Sequence, residues 1–293
     1  WQELIAQWQG TTVSVLALPE LAALSVCWGE DRAQAAIFRE AETEGYSGFL
    51  AAFFRPEITK LGYHIKDVMR WALARGLTAQ GFVFDAAIAA YLLAPTDGSY
   101  ALDKVAGQYF TETFPPDKDY LSSKAWKDTE SATKAMGAMA SHTVLIAALY
   151  DVLPDKLAEL GLDRVYEELE LPLCPVLAEM EQAGMLVDLD ALTHFGEQLK
   201  TGIAALQGEI WSMAGQEFNL NSTQQLGKVL FEDMGLPPVK KTKTGYSTSA
   251  EVLEKLRAHH PIIDRILEYR QLNKLNSTYV EGLSKVIAAD GRI

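Results

Sequence analysis

Two long runs of apolar residues at helical spacing constrain the fold of this chain most. In each run, successive apolar positions lie mostly three or four residues apart. The first run is Leu192, Phe195, Leu199, Ile203, Leu206, Ile210 and Met213, and the second is Ile262, Ile266, Tyr269, Leu272, Leu275, Tyr279, Leu283 and Val286. Such spacing places the apolar side chains on one helix face, which needs a partner along most of its length. We therefore expect two long antiparallel helices packed against each other.

The first half of the chain alternates predicted strands and helices. Strands are predicted at 13–18, 24–28, 35–38, 58–63 and 82–84, and helices at 46–54, 65–75, 86–93 and 131–153. This alternation is typical of an α/β domain. Its core is expected to contain Val15, Leu16, Leu18, Val26, Ile37, Phe82, Phe84, Leu92 and Leu145.

Length and composition favour a protein of two domains without a membrane segment. A chain of 293 residues suggests two domains. No uninterrupted apolar run approaches the roughly 18 residues of a membrane span, and the first residues do not resemble a signal peptide. Cys27 and Cys174 have no metal-like spacing, so buried reduced thiols in the cytoplasm are expected.

Charge is distributed unevenly along the chain. The net charge of −13 argues against a surface that binds nucleic acid everywhere. Residues 220–285, however, contain ten Lys or Arg and only seven Asp or Glu. A locally basic face on an acidic protein can orient a polyanion.

The basic region also contains two predicted helix starts. Ser222 and Gln225 form a capping-box pattern, with Asn219 and Asn221 just before it, and Thr248 and Ser249 precede a second helix. Free backbone N–H groups at a helix start favour an anion. The lysine-rich turn at 240–249 lies between these two starts.

One face of the last helix adds further donors. Arg270, Asn273, Lys274 and Ser277 share a face opposite the apolar stripe. Amide, hydroxyl and cationic groups of this kind hold a phosphate backbone without reading base sequence. The predicted DNA-binding set is Asn219, Asn221, Ser222, Thr223, Lys240, Lys241, Thr242, Lys243, Thr244, Ser247, Thr248, Ser249, Arg270, Asn273, Lys274 and Ser277.

Each of these features also has an ordinary structural explanation. Capping boxes begin many helices that bind nothing, lysine-rich turns are usually only solvated, and a polar helix face usually faces water. The residues alone therefore leave both interpretations open.

A sequence motif in the last helix resembles a known family. The run 269–279 has Tyr, Arg, Leu, Lys, Leu, Ser, Thr and Tyr at the spacing YRxLxKLxSTY. Residues 166–293 resemble the thumb of the bacterial family A DNA polymerases, and residues 1–165 resemble, more loosely, their 3′–5′ exonuclease domain. The resemblance implies a ribonuclease H-like α/β domain with a mixed sheet at 1–163, an all-α thumb on two long antiparallel helices at 164–285, and the first residues of a palm at 286–293.

The resemblance also implies a function. The chain would be the N-terminal part of a DNA-directed DNA polymerase of replication and repair, monomeric, in the bacterial cytoplasm near the nucleoid. Arg270, Lys274 and the turn Lys240–Lys243 would contact the backbone of primer–template duplex. The aspartates that hold Mg²⁺ would belong to the palm, so no cofactor and no polymerisation are expected of these residues alone.

The exonuclease-like half lacks the residues that this chemistry needs. Such enzymes hold two divalent metals with four carboxylates, because hard cations require oxygen ligands. Leu16, Leu18 and Val68 stand where carboxylates are expected, and residues 132–148 contain no Tyr and no acid. We expect no catalytic residue, no metal and a structural role, with Asp85 as a helix cap.

Two alternatives remain at this point. One is an active 3′–5′ exonuclease with displaced ligands, which would lose activity when Asp67 or Asp85 is replaced. The other is a helical protein-interaction module, whose contacts with DNA, if any, would not depend on Lys240, Lys241 and Lys243.

Overall fold

The computed structural model describes residues 1–29, 32–238, 241–242 and 245–293, with the backbone only of Lys241 and Thr242. These residues form two compact units, Trp1–Ala183 (unit 1) and Gly184–Ile293 (unit 2).

Unit 1 contains a mixed five-stranded sheet. Its strands are β1 (Thr12–Ala17), β2 (Ala23–Trp28), β3 (Gln34–Arg39), β4 (Thr59–Gly62) and β5 (Phe82–Asp85), in the order β3-β2-β1-β4-β5. The pairs β1–β2 and β2–β3 are antiparallel, and β1–β4 and β4–β5 are parallel. The predicted mixed sheet is confirmed.

Helices surround this sheet. They are α1 (Gln2–Trp8), α2 (Tyr46–Phe53), α3 (Ile65–Ala74), α4 (Ala86–Leu93), α5 (Leu102–Tyr109), α6 (Lys118–Leu121), α7 (Thr129–Tyr150), α8 (Leu153–Glu159), α9 (Asp163–Val165) and α10 (Leu171–Ala183). Short 3₁₀ turns occur at Pro19–Leu21 and Ser123–Trp126, and a π-helical turn at Tyr166–Glu170 joins α9 to α10. The predicted helix 131–153 is α7, and Pro154 lies in the first turn of α8.

Alternating residues of β1 face opposite helix layers. Leu16 of β1 and Leu18 just after it pack in a core that includes residues of α4, α5, α7 and α8. Val13 and Val15 pack in a second core with residues of α2, α3 and α10. Because successive strand residues point to opposite faces, the sheet lies between two helix layers.

The helix α10 belongs to unit 1. Cys174 and Ala178 are buried in the same core as Val68 and Met69 of α3. The compact units therefore divide after Ala183, whereas the sequence predicts a boundary at 163/164. The apolar face of α10 requires a partner, and α3 provides it.

One stretch of unit 1 is long and apolar enough to cross a membrane by length and composition alone. It is Thr129–Glu159, in which an 18-residue window has a mean hydropathy of 1.4, although polar residues interrupt the apolar ones. Half of that window is buried inside the protein. Met139, Leu145, Ile146 and Leu149 of α7 pack in the core with the sheet, as expected for a central helix.

Unit 2 is mainly helical. Its elements are α11 (Leu189–Ala214), α12 (Thr223–Lys228), β6 (Lys241–Thr242), β7 (Gly245–Tyr246), α13 (Ala250–Glu254), α14 (Ile262–Lys274) and α15 (Glu281–Ser284). π-helical turns at Val229–Asp233 and Leu275–Val280 extend α12 and α14. The antiparallel pair of short strands β6 and β7 corrects the all-α prediction for this part of the chain.

The predicted antiparallel pairing of α11 and α14 is confirmed. Gly202 lies beside Leu272, and Gly196 beside Val280. At the other end, Glu209 and Arg265 form an ion pair at 3.0 Å. The centre of the stripe is buried with the core of unit 2, whereas Phe195 is 42% exposed at one end of α11.

Candidate nucleic-acid interface

A groove of about 1250 Å³ in unit 2 gathers six of the residues that the sequence predicts. It is bordered by the start of α12, by β7 with the segment after it, and by α14. The lining residues are Leu220, Asn221, Thr223, Gln224, Gln225, Lys228, Glu232, Gly245, Tyr246, Ser247, Thr248, Ser249 and Arg270. Amide, hydroxyl and cationic groups from three elements thus face one space.

Ser222 fixes the first border of the groove. Its Oγ accepts a hydrogen bond from the Gln225 N–H at 3.3 Å, which confirms the predicted cap of α12. The Gln225 side chain reaches further back than a capping box requires and accepts from the Asn219 N–H at 2.9 Å. This bond holds the approach to α12 in place.

An amide pair joins the start of α12 to α14. The Asn273 side chain donates to the Asn221 Oδ1 at 3.2 Å, across 52 residues of chain. The Asn221 N–H in turn donates to the Asn219 Oδ1 at 2.9 Å. Three asparagines that the sequence places in two separate segments are therefore connected in space.

Arg270 connects α14 to the third border. Its guanidinium donates to the Thr248 carbonyl and, at 3.2 Å, to the Thr248 Oγ1. Burial lowers the pKa of Arg270 from its ordinary value, but an arginine remains charged at neutral pH. Arg270 lies on the groove, yet two of its donors are already used within the protein.

The second predicted helix start differs from the first. Ser249 is the N-cap residue of α13, but its side chain makes no cap hydrogen bond. Thr248 is buried, with only 4% of its surface exposed, because it packs under Arg270. Ser247 and Ser249 face the groove, and their hydroxyls are 3.5 Å apart.

Lys228 is a lining residue that the sequence analysis did not select. It follows Gln224 and Gln225 of α12 by four and three residues, so it shares their helix face. This spacing could have identified Lys228 as a candidate from the sequence. Within the described part of the chain, Lys228 and Lys274 form no ion pair, whereas Lys255, Arg257 and Arg265 pair with carboxylates.

Some predicted residues do not line the groove, and others lie outside the described residues. Lys274 at the end of α14 and Ser277 in the π-helical turn after it are exposed but do not line the groove. Lys240, Lys243 and Thr244 lie outside the described residues, and the side chains of Lys241 and Thr242 are not described.

Unit 1 places the three degenerate exonuclease positions in apolar surroundings. Leu16, Leu18 and Val68 are all at least 90% buried and belong to its two cores. Asp67 projects beside Arg70 at 3.9 Å. Within the described ranges, no group of three His, Cys, Asp or Glu side chains lies close enough to hold a metal.

The acidic and imidazole groups nearest to the sheet have structural partners. Asp85 caps α4 by accepting from the Ala87 and Ile88 N–H groups at 2.8 and 3.2 Å, as predicted, and burial raises its pKa. The buried His142 has its Nδ1 2.9 Å from the Tyr120 hydroxyl, and burial lowers its pKa.

Comparisons with known proteins point to one family. Residues 189–293 match the family described as DNA polymerase family A. DNA polymerase I of Geobacillus stearothermophilus is 42% identical over 219 residues, and that of Bacillus subtilis is 40% identical over 222 residues. This chain belongs to DNA polymerase family A. The two alignments cover 75% and 76% of the chain.

A solved structure of the family is also similar. The polymerase domain of Pol1 from M. smegmatis, in complex with DNA primer-template and dNTP, matches with a TM-score of 0.74 and 29% identity. The match covers 96% of this chain and 47% of that one. The chain spans about a quarter of the length of the curated family A relatives, since 25% of each is aligned.

Proposed function

We propose that this chain is the part of a bacterial DNA-directed DNA polymerase that holds primer–template duplex, with unit 2 as its thumb. The groove bordered by α12, β7 and α14 carries the proposal. It presents three side-chain amides, several hydroxyls, the Lys228 ammonium and the Arg270 guanidinium together, and the Glu232 carboxylate also lines it. These groups suit phosphate and sugar oxygens, and no arrangement among them is specific for one base.

Charge pairing supports the same surface. Three cations away from the groove, Lys255, Arg257 and Arg265, are held in ion pairs with neighbouring carboxylates, whereas Lys200 and Lys285 form none in the described ranges. Lys228 and Lys274 have no such partner in the described ranges, so their charges are available to an anion. A duplex backbone would release counterions on meeting them, and binding would therefore depend on salt.

Unit 1 is proposed to be a ribonuclease H-like domain of the 3′–5′ exonuclease type without catalysis. Leucine and valine cannot coordinate Mg²⁺, and these side chains lie in the core rather than in a cleft. Mg²⁺ would serve the intact polymerase through palm aspartates outside this chain. The protein would act as a monomer in the bacterial cytoplasm, associated with the nucleoid.

The decisive experiment is a salt titration of duplex binding. For the full chain and a mixed-sequence duplex, we expect weak binding of about 10⁻⁴–10⁻⁶ M that falls steeply as salt rises. Lys228→Ala and Lys274→Ala should each weaken binding and each lower the slope of log K against log salt by about 1.

Lys255→Ala is the matched control, because Lys255 is an exposed lysine of the same unit that pairs with Glu251 at 2.7 Å. It should leave affinity and slope unchanged. A flat salt response of the unaltered chain, or equal effects of all three substitutions, would contradict a phosphate-binding groove.

A further inference from the structure

Unit 1 has a second groove, of about 790 Å³, that plays no part in the DNA interface. It runs along β5, which is the last strand of the sheet. One edge of β5 therefore has no strand partner in the described part of the chain. Val83, in the middle of this strand, is 44% exposed.

The walls of this groove are mostly apolar. Tyr150 and Pro154 line it together with Leu171 and Pro175 of α10. Tyr166 closes one end of the strand edge, because its hydroxyl accepts from the Asp85 N–H at 2.7 Å and lies 3.1 Å from the Asp85 carbonyl. Phe84 is fully buried, so the part of this edge that is accessible to a new strand lies around Val83.

The charged residues of this groove are all acidic. Asp163, Glu167 and Glu179 line it, and the lining residues include no lysine or arginine. Among the residues that the structure describes, none of these three carboxylates forms an ion pair. Three unpaired acids beside an apolar channel favour an occupant with positive charges at its margins.

We propose that this groove binds an extended, basic peptide segment of a partner protein, which adds to the sheet as a strand next to β5. An unpaired edge offers backbone donors and acceptors, and an added strand satisfies them. Alternate side chains of that strand would enter the apolar channel, and its lysines or arginines would meet Asp163, Glu167 and Glu179. The inference goes beyond DNA binding and does not depend on it.

The test uses the full chain and a defined probe, an N-acetylated and C-amidated peptide of alternating valine and lysine. We expect saturable binding of this peptide by calorimetry. A peptide of alternating valine and glutamate should bind at least about tenfold more weakly. The same lysine peptide N-methylated at alternate residues should not bind, since it cannot complete the strand ladder.

A triple variant, Asp163→Asn, Glu167→Gln and Glu179→Gln, should weaken the lysine peptide by about fivefold to tenfold. Glu167 and Glu179 are exposed, Asp163 is half-buried, and none of the three forms an ion pair in the described ranges, so the fold should persist. The control is a second triple variant that removes three surface acids away from the groove, Glu3→Gln, Glu44→Gln and Glu112→Gln. It should leave binding of the lysine peptide unchanged.

Three results would overturn the proposal. They are the absence of binding at millimolar peptide, equal binding of the N-methylated peptide, and equal effects of the two triple variants. A dimer of the chain that dissociates when Val83 is replaced by lysine would identify a second copy as the occupant instead, and would equally overturn it.

Discussion

At the scale of single residues, Arg270 combines two tasks. Its guanidinium lies on the groove and also donates to the carbonyl and hydroxyl of Thr248, which holds the segment after β7 against α14. A lysine keeps the charge but cannot make the planar double contact. Arg270→Lys should therefore lower the free energy of unfolding by about 1–3 kcal/mol, measured by urea denaturation. Arg265→Lys, which alters exposed ion pairs only, should change it by less than about 0.5 kcal/mol; equal losses would contradict the role of the Thr248 contact.

The buried Lys60 predicts a pH dependence of stability. Its ammonium is fully buried and donates to the carbonyls of Arg55, Ile58 and Gln80 at 2.9, 2.7 and 2.9 Å. Burial lowers the pKa of Lys60 to about 7. Above that pH the unfolded chain binds more protons than the folded one, so stability should rise with pH from about 7 to the ordinary lysine pKa of 10.5.

This contribution has a slope of at most about 1.4 kcal/mol per pH unit. The variant Lys60→Met should lose that slope, whatever its absolute stability. Unfolding free energies of both proteins at several pH values between 7 and 10 would measure it, and parallel curves would exclude the predicted titration.

At the scale of elements, a glycine allows α11 to approach the π-helical turn that extends α14. A Cβ at Gly196 would lie 2.8 Å from the Val280 Cγ1, so Gly196→Ala should force the helices apart and destabilise unit 2 by about 1–3 kcal/mol. Gly208 is on the same helix, and a Cβ there meets no described atom within 4 Å. Gly208→Ala should stabilise the helix by about 0.5–1 kcal/mol. Thermal unfolding of both variants would measure these changes in stability. If the two substitutions shift the stability in the same direction, the proposed close packing at Gly196 is wrong.

At the scale of the whole molecule, the proposed loss of the nuclease has a direct test. The full chain, incubated with single-stranded DNA and either Mg²⁺ or Mn²⁺, should release no nucleotides above a metal-free control. Any metal-dependent degradation that disappears in Asp67→Asn or Asp85→Asn would favour the alternative of displaced ligands. The folding of Asp85→Asn has to be checked by circular dichroism, since Asp85 also caps α4.

The sequence by itself determined those helices and strands whose residue pattern repeats within a short segment. Alternating apolar residues predicted β1, β2 and β3, and spacings of three and four predicted α11 and α14, because strand and helix periodicities are repeated within a few residues. The cap by Ser222 and the cap by Asp85 were likewise readable from the residue type and its position.

Only the tertiary structure decided which side chains meet. The Asn221–Asn273 pair and the Arg270–Thr248 contact join residues 52 and 22 positions apart, and the shared position of Lys228 on the groove depends on how α12 packs beside β7. The tertiary structure also decided that α10 belongs to unit 1, because its sequence alone does not specify which unit buries its apolar face. Local pattern fixes the conformation of each segment, but the burial of its apolar face against one partner rather than another depends on the shape of the whole chain.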